Sequence, residues 1–374
     1  MQLHRSSSSL MDSPNYHLSL LSLLLIVFIS VSVSEQTQTA GQNEQEKHHR
    51  HVFRPTSLFV FGDSYADTGN TRKGNSTAWK VPYGTTFPGK PAGRFSDGRV
   101  LTDYVARYLG MKAPVAYRMR KMMMEKNTEK GMNFAFGGAG VFDTDNGAPN
   151  VSTQIDYLEQ LMKHKVFTSA DLTNSMALVS LAGNDYAHYV ATNGSFQALP
   201  SFIASVVNET SLNLMRIHEL GVKRIVVTAL GPLGCLPAIT DLFSFTHCYD
   251  TFNNFSTLHN RLLNQHILRL NRLTRKHNHS PTFHVLDLYA SFTSVLSHPS
   301  TYNIHQLFKP CCVGVNSLYS CASVDDSNVK RYNVCDNPRS AFFWDSVHPS
   351  DAGWHAVYTK LRTMRSFQKL RTNP

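Results

Sequence analysis

Five short apolar runs alternating with segments of helical periodicity constrain this chain more than any other feature. The runs are Ser57–Phe61 (SLFVF), Met132–Phe134, Ala177–Leu181 (ALVSL), Arg224–Ala229 (RIVVTA) and Phe283–Leu286 (FHVL). Between them, Leu101, Tyr104, Val105, Tyr108 and Leu109 form one helical stripe. A second is Ile203, Val206 and Val207, continued by Leu214, Ile217 and Leu220, and a third is Leu258, Leu262, Ile267, Leu270 and Leu273. Gly221 reads as a helix stop just before the fourth run. Strands that are apolar on both faces, separated by amphipathic helices, imply a parallel sheet covered on each side. No internal repeat interrupts the pattern, so one domain is expected from residue 55 to residue 374.

The N-terminus reads as an address. Arg5 precedes an apolar run from Leu18 to Val33, closed by the small residues Ser32 and Ser34. This is the order of a secretory signal over residues 1–34, and the run is short of the roughly 20 apolar residues of a spanning helix. Residues 35–54 are polar and read as a flexible lead-in. Six cysteines (Cys235, Cys248, Cys311, Cys312, Cys321 and Cys335) lie behind that leader. An even count there favours disulfides over metal ligation, since neither C-x-x-C nor zinc-finger histidine spacing occurs. Proximity pairs Cys235 with Cys248 and leaves Cys311 and Cys312 to take Cys321 and Cys335 in either order. Six N-x-S/T triplets, at Asn75, Asn150, Asn193, Asn208, Asn254 and Asn278, complete the outline of a secreted glycoprotein. The net charge of +10 is scattered and lacks the aromatic interleaving of a nucleic-acid module, so it bears mainly on solubility.

Ligands of open parallel sheets bind beyond the carboxyl ends of the strands. After the first run comes Gly62-Asp63-Ser64-Tyr65-Ala66-Asp67-Thr68-Gly69-Asn70, a serine at a strand-to-helix switch with its hydroxyl free to project. Taken alone, Ser64 would serve equally well as a helix cap. After the second run, Gly137, Gly138 and Gly140 permit close backbone approach and free amide donors. After the third, Asn184 can aim its side-chain amide at developing negative charge. Near the C-terminus, Asp345 precedes His348 by three residues, and Pro349 holds the histidine out of helical geometry. A hydroxyl, two sources of amide donors and an Asp/His pair are together the parts of serine acyl transfer.

These residues resemble the GDSL (SGNH) lipase/esterase family, in particular its plant secreted branch, over roughly Ser57 to Met364. The first family block, GDSL, reads GDSYADTGN here, with Tyr65 in place of leucine. The third, G-x-N-D, reads with Ala182 in place of its first glycine, while Asn184 and Asp185 match. The fifth, D-x-x-H, falls on Asp345 and His348. The stretch Gly93-Arg94-Phe95-Ser96-Asp97-Gly98-Arg99 resembles a plant-branch signature.

The resemblance implies a flavodoxin-like three-layer α/β/α sandwich, the SGNH hydrolase fold, with a five-stranded, mainly parallel sheet. It implies Ser64 as nucleophile, His348 as general base and then acid, and Asp345 as its orienting carboxylate. An oxyanion hole would come from the amides of Ser64 and Gly138, with Gly137 as the alternative glycine, and from the Asn184 side chain. No metal or organic cofactor is expected. The expected partner is a small-molecule, lipid or carbohydrate ester, with neither nucleic acid nor integral membrane association. The expected location is extracellular, in the cell wall or apoplast of a plant. An acyltransferase on the same site, or a catalytically silent lipid- or glycan-binding glycoprotein, are the alternatives to a secreted esterase.

Overall fold

The computed structural model describes residues 53–122, 131–144, 147–181, 183–275 and 281–371. The expected leader, nearly all of the lead-in, Ala182 and the sequon at Asn278 lie outside these residues, as does the side chain of Asn75. The described elements are β1 (Ser57–Gly62), α1 (Leu101–Leu109), β2 (Val115–Ala116), β3 (Gly131–Asn133), α2 (Val151–Lys163), α3 (Ser169–Thr173), β4 (Ser175–Ser180), α4 (Gly183–Ala191) and α5 (Leu199–Glu219). They continue with β5 (Arg224–Thr228), α6 (Pro237–Thr240), α7 (Asp250–Thr274), β6 (Phe283–Leu286), α8 (Leu288–Ser297), β7 (Cys312–Gly314), β8 (Tyr332–Val334), α9 (Asp351–Leu361) and α10 (Arg365–Gln368).

Six strands form one sheet in the order β2-β3-β1-β4-β5-β6, and each neighbouring pair is parallel. The five expected strands are all present. The sixth, β2, is a two-residue edge strand, too short to leave a periodic signal in sequence. Alternation along the strands sorts the core into two layers. Phe59 and Phe61 of β1, Ala177 and Val179 of β4, and Ile225 and Val227 of β5 face α2, α5 and α7. Leu58, Val60, Met176, Leu178 and Val226 face α1, α8 and α9. Each fully buried side chain of this kind is worth roughly 1.5–3 kcal/mol, which is why the strands read as unbroken apolar runs. The third stripe is rotated from its expected position: α7 buries Leu263, Ile267 and Leu270, while Leu273 is 67% exposed. Where leucines stand on several sides of a helix, only the neighbouring layer decides which of them is covered.

A separate antiparallel pair, β7 with β8, carries four of the six cysteines nearby. The disulfides are Cys235–Cys248, Cys311–Cys335 and Cys312–Cys321, so the open order of the last two pairs is resolved. The amides of Cys311 and Cys312 donate to the carbonyls of Phe343 and Trp344, which ties this lobe to the segment that delivers Asp345. Among the sequons, Asn193, Asn208 and Asn254 are exposed, whereas the Asn150 side chain caps α2 through Thr153 and donates to Asp143. Among the described residues no helix is long and apolar enough to cross a membrane.

The order β3-β1-β4 makes β1 the strand from which the connections diverge to both sides of the sheet, the switch point where a crevice opens. Gly62, the last residue of β1, passes so close to β4 that a Cβ there would overlap the Ser180 carbonyl, and its φ of +146° is itself strained for an L side chain. Its amide donates to Gln154 Oε1 at 2.8 Å, and its carbonyl accepts from Gln154 Nε2 at 2.9 Å. Gly62→Ala should therefore lower folding stability by roughly 3 kcal/mol through steric overlap and backbone strain. Urea unfolding of the two proteins checks this; an unchanged midpoint would show that the strand end relaxes freely.

Candidate active site

β1 leads into a hydrogen-bonded turn. The amides of Ala66 and Asp67 both donate to the Asp63 carbonyl, and the next α-helix among the described residues is α1. The expected strand-to-helix switch at Ser64 is thus a strand-to-turn switch, and Ser64 caps nothing. The turn is held by Asp67, which is fully buried. Its Oδ1 accepts from the amides of Gly69 and Asn70, and its Oδ2 accepts from the Thr71 amide, the Thr71 hydroxyl and the Gly137 amide. Asn70 and Asn133 complete the lacing, with Nδ2 of Asn70 donating to the carbonyls of Asn133 and Ala135 and Nδ2 of Asn133 donating to that of Ala66. One buried polar network therefore sets the loop after β1 against the loop after β3.

Ser64, His348 and Asp345 lie in one hydrogen-bonded line. Ser64 Oγ is 2.7 Å from His348 Nε2, across 284 positions of sequence. His348 Nδ1 is 2.8 Å and 2.9 Å from the two Asp345 oxygens. A carboxylate only accepts, so Nδ1 carries the proton and Nε2 is left to accept from the serine hydroxyl. Asp345 Oδ1 also accepts from the amides of Val347 and His348, and Oδ2 accepts from the Tyr83 hydroxyl at 2.7 Å. Burial opposes ionisation of Asp345, but His348, the Val347 amide and Tyr83 outweigh it and hold the carboxyl below its ordinary range. Burial, reinforced by the Asp345 charge, pushes the Tyr83 hydroxyl well up, so it remains a donor.

Two aromatic residues place the imidazole. Phe95, from the Gly93–Arg99 stretch, lies 5.1 Å from the His348 ring centroid. A Cβ on Gly137 would strike the Phe95 ring, which gives this glycine a reason beyond amide donation. Tyr65 contacts the imidazole edge-on at 5.9 Å, stacks on Phe292, and donates its hydroxyl to the Val347 carbonyl at 2.7 Å. Thus the leucine-to-tyrosine departure clamps the Ser64 turn to the His348 loop. Asp97 accepts from the Asp351 amide, and Asp351 accepts from the Arg99 amide, so the same Gly93–Arg99 stretch also pins the start of α9.

The Gly137 amide is committed to Asp67 and Thr71, while the Gly138 amide has no acceptor among the described residues. Asn184, in the first turn of α4, spends one N–H on the Ala139 carbonyl at 2.8 Å. An amide nitrogen has two donors, so one remains. Asp185 beside it accepts from the amides of Val141 and Phe142 and fastens the glycine loop to α4. A pocket of about 260 Å³ opens beside Ser64, His348 and Asn184. Among the described residues, no group of three or more His, Cys, Asp or Glu side chains is placed to hold a metal ion. Sequence reasoning missed Tyr83, Phe95, Gln154 and the reach of Tyr65. Phe95 stood within the Gly93–Arg99 stretch and Tyr65 at a motif departure, but Tyr83 and Gln154 carried no signal.

Asp63 behaves differently from Asp345. Its Oδ1 accepts from the Tyr65 amide, and burial raises its pKa from 3.8 to about 7, against the pull of that amide and of His348. The folded protein therefore binds this proton more tightly than the unfolded chain. That contribution to stability is present below pH 4 and is lost as pH rises toward about 7. Asp63→Asn, which keeps the acceptor, should flatten the fall in stability between these values by a few kcal/mol. Urea unfolding across that pH range checks this; parallel profiles for the two proteins would exclude a titrating Asp63.

Comparison with known proteins agrees with these features. The family described as GDSL-like Lipase/Acylhydrolase matches residues 58–361. A GDSL esterase/lipase of Arabidopsis thaliana is 51% identical over 320 residues, covering 84% of this chain and 88% of that protein. A second from the same plant is 50% identical over 314 residues, covering 82% and 88%.

Proposed function

Because this chain belongs to the GDSL-like lipase/acylhydrolase family, we propose that it hydrolyses carboxylic esters at Ser64 through an acyl-enzyme intermediate. The observation that carries the reading is the unbroken line from Ser64 Oγ through the His348 ring to Asp345. Ser64 Oγ attacks the ester carbonyl carbon as its proton passes to His348 Nε2. The resulting imidazolium faces an ionised Asp345, which stabilises it and keeps the ring oriented. The oxyanion is received by the Ser64 and Gly138 amides and the second N–H of Asn184. Collapse expels the alkoxide, which leaves as the alcohol with the proton from Nε2. Water then repeats the sequence: its proton goes to Nε2, its oxygen bonds to the acyl carbon, and the carboxylic acid departs as Ser64 Oγ takes the proton back.

The proposal includes secretion. Three disulfides and no free cysteine fit an oxidising compartment, as do the leader-like order of residues 1–34 and the exposed Asn193, Asn208 and Asn254. Residues 55–374 are the catalytic domain in this reading.

Ser64→Ala should lower kcat on p-nitrophenyl acetate by roughly 10⁴-fold or more with an unchanged circular dichroism spectrum. Asn184→Ala should cost roughly 10²- to 10³-fold, mainly in kcat. Equal turnover by the folded Ser64 variant would reject the nucleophile. Absence of turnover and of serine phosphorylation by diethyl p-nitrophenyl phosphate in the wild type would turn the reading toward a binding glycoprotein.

A further inference from the structure

We propose that the pocket beside Ser64 is an acyl site that selects medium-length apolar acyl chains, with α4 and α7 setting its length. This rests on the serine acyl-transfer reading above and adds to it the class of acyl group.

The pocket lies over the carboxyl ends of β1, β4 and β5 and is walled by α4, α6, the start of α7 and α8. Its polarity is uneven. Its acidic and basic lining side chains, Asp63 and His348, both belong to the Ser64 end. The remainder is walled by Val190, Leu233, Leu236, Ile239, Phe252 and Phe292. The two tyrosines in the lining have their hydroxyls committed, Tyr65 to the Val347 carbonyl and Tyr186 to His259 Nδ1 at 2.7 Å. An acyl chain ending in a carboxylate or ammonium would find no charged side chain among the described lining residues beyond the Ser64 end, and leaving such a charge unpaired is costly. An apolar chain meets aliphatic and aromatic side chains along its length.

Size adds a second limit. At roughly 30 Å³ per heavy atom, about the space of one water in the liquid, a 260 Å³ pocket holds about eight or nine atoms. An acetyl group leaves most of it to solvent, an octanoyl chain fills it, and a longer chain extends toward the open side of the pocket. The acyl half is the natural occupant, because it stays attached to Ser64 after the alcohol has left. Contacts with it therefore act in both acylation and deacylation. Each methylene buried is worth roughly a fourfold gain in kcat/KM, so filling the pocket has a large effect.

Ala187 and Phe252 test the walls. Ala187 lies on α4 three residues beyond Asn184, on the same helix face, lines the pocket and is exposed, so a larger side chain can enter without displacing the core. Phe252, in the first turn of α7, closes another side. The experiment measures kcat/KM for p-nitrophenyl acetate, octanoate and dodecanoate on the full chain, Ala187→Trp and Phe252→Ala. Rates are expressed per active site titrated with diethyl p-nitrophenyl phosphate, so that loss of folded enzyme does not enter.

For the wild type, kcat/KM should rise by roughly 10²- to 10³-fold from acetate to octanoate, six methylenes longer, and gain nothing further at dodecanoate. Ala187→Trp should lower the octanoate-to-acetate ratio by roughly 60-fold, as bulk takes the space of about three methylenes. Phe252→Ala should raise the dodecanoate-to-octanoate ratio. A flat acyl profile in wild type that titrates normally would overturn the acyl site while leaving the serine mechanism standing. An Ala187→Trp ratio equal to that of wild type would do the same. A wild type that neither titrates nor turns over acetate would fail the mechanism itself.

Discussion

The close passage of β1 against β4 is the constraint on which the rest of the site depends. Gly62 lies where any side chain would meet the Ser180 carbonyl, and Gln154 grips it through both its amide and its carbonyl. Two residues later comes Ser64, so the position of the hydroxyl follows from how tightly two neighbouring strands approach. Since β1 is also the strand where the order reverses, this is the place where loops from β3 and β4 converge on one crevice. A glycine and a buried glutamine thus do for the serine what Tyr83 and two amides do for Asp345.

Several buried carboxyls surround the crevice, and their surroundings assign them different states. Asp345 is surrounded by an imidazole, two backbone amides and a tyrosine hydroxyl, and their sum outweighs the cost of burial. Asp67 accepts several hydrogen bonds, yet burial outweighs them and its pKa is raised. Asp63, held by the Tyr65 amide, is raised to about 7. Three aspartates close in sequence or space therefore differ because desolvation is common to all, whereas compensation is local. Asp345 is the one supplied with enough compensation to face an imidazolium.

The site is braced from the far end of the chain. The Gly93–Arg99 stretch backs the imidazole with Phe95, and its Asp97 and Arg99 are bound to the first residue of α9. The disulfide-bonded lobe adds hydrogen bonds from Cys311 and Cys312 to the residues just before Asp345. The histidine loop is therefore clamped on both flanks, with Tyr65 closing it against the Ser64 turn. Such bracing suits a group that must hold its orientation while its charge changes.

The sequence by itself determined the class of fold and named the candidate reacting groups. Apolar runs of strand length and helical stripes leave a doubly covered parallel sheet as the consistent solution. Ser64, Asn184, Asp345 and His348 stood out as chemistry-bearing residues at loop positions. Proximity in sequence likewise sufficed for Cys235 with Cys248. Tertiary structure decided what depends on distance through space: the sixth strand, the pairing of Cys311 with Cys335 and Cys312 with Cys321, and the choice between Gly137 and Gly138 as the uncommitted amide. It alone brought Tyr83, Phe95 and Gln154 to the site. Their side chains have no local pattern to betray them, because each acts on a carboxylate, ring or backbone that lies tens to hundreds of residues away. Periodicity encodes which face of an element is buried; what that face meets is known only once the layers have packed.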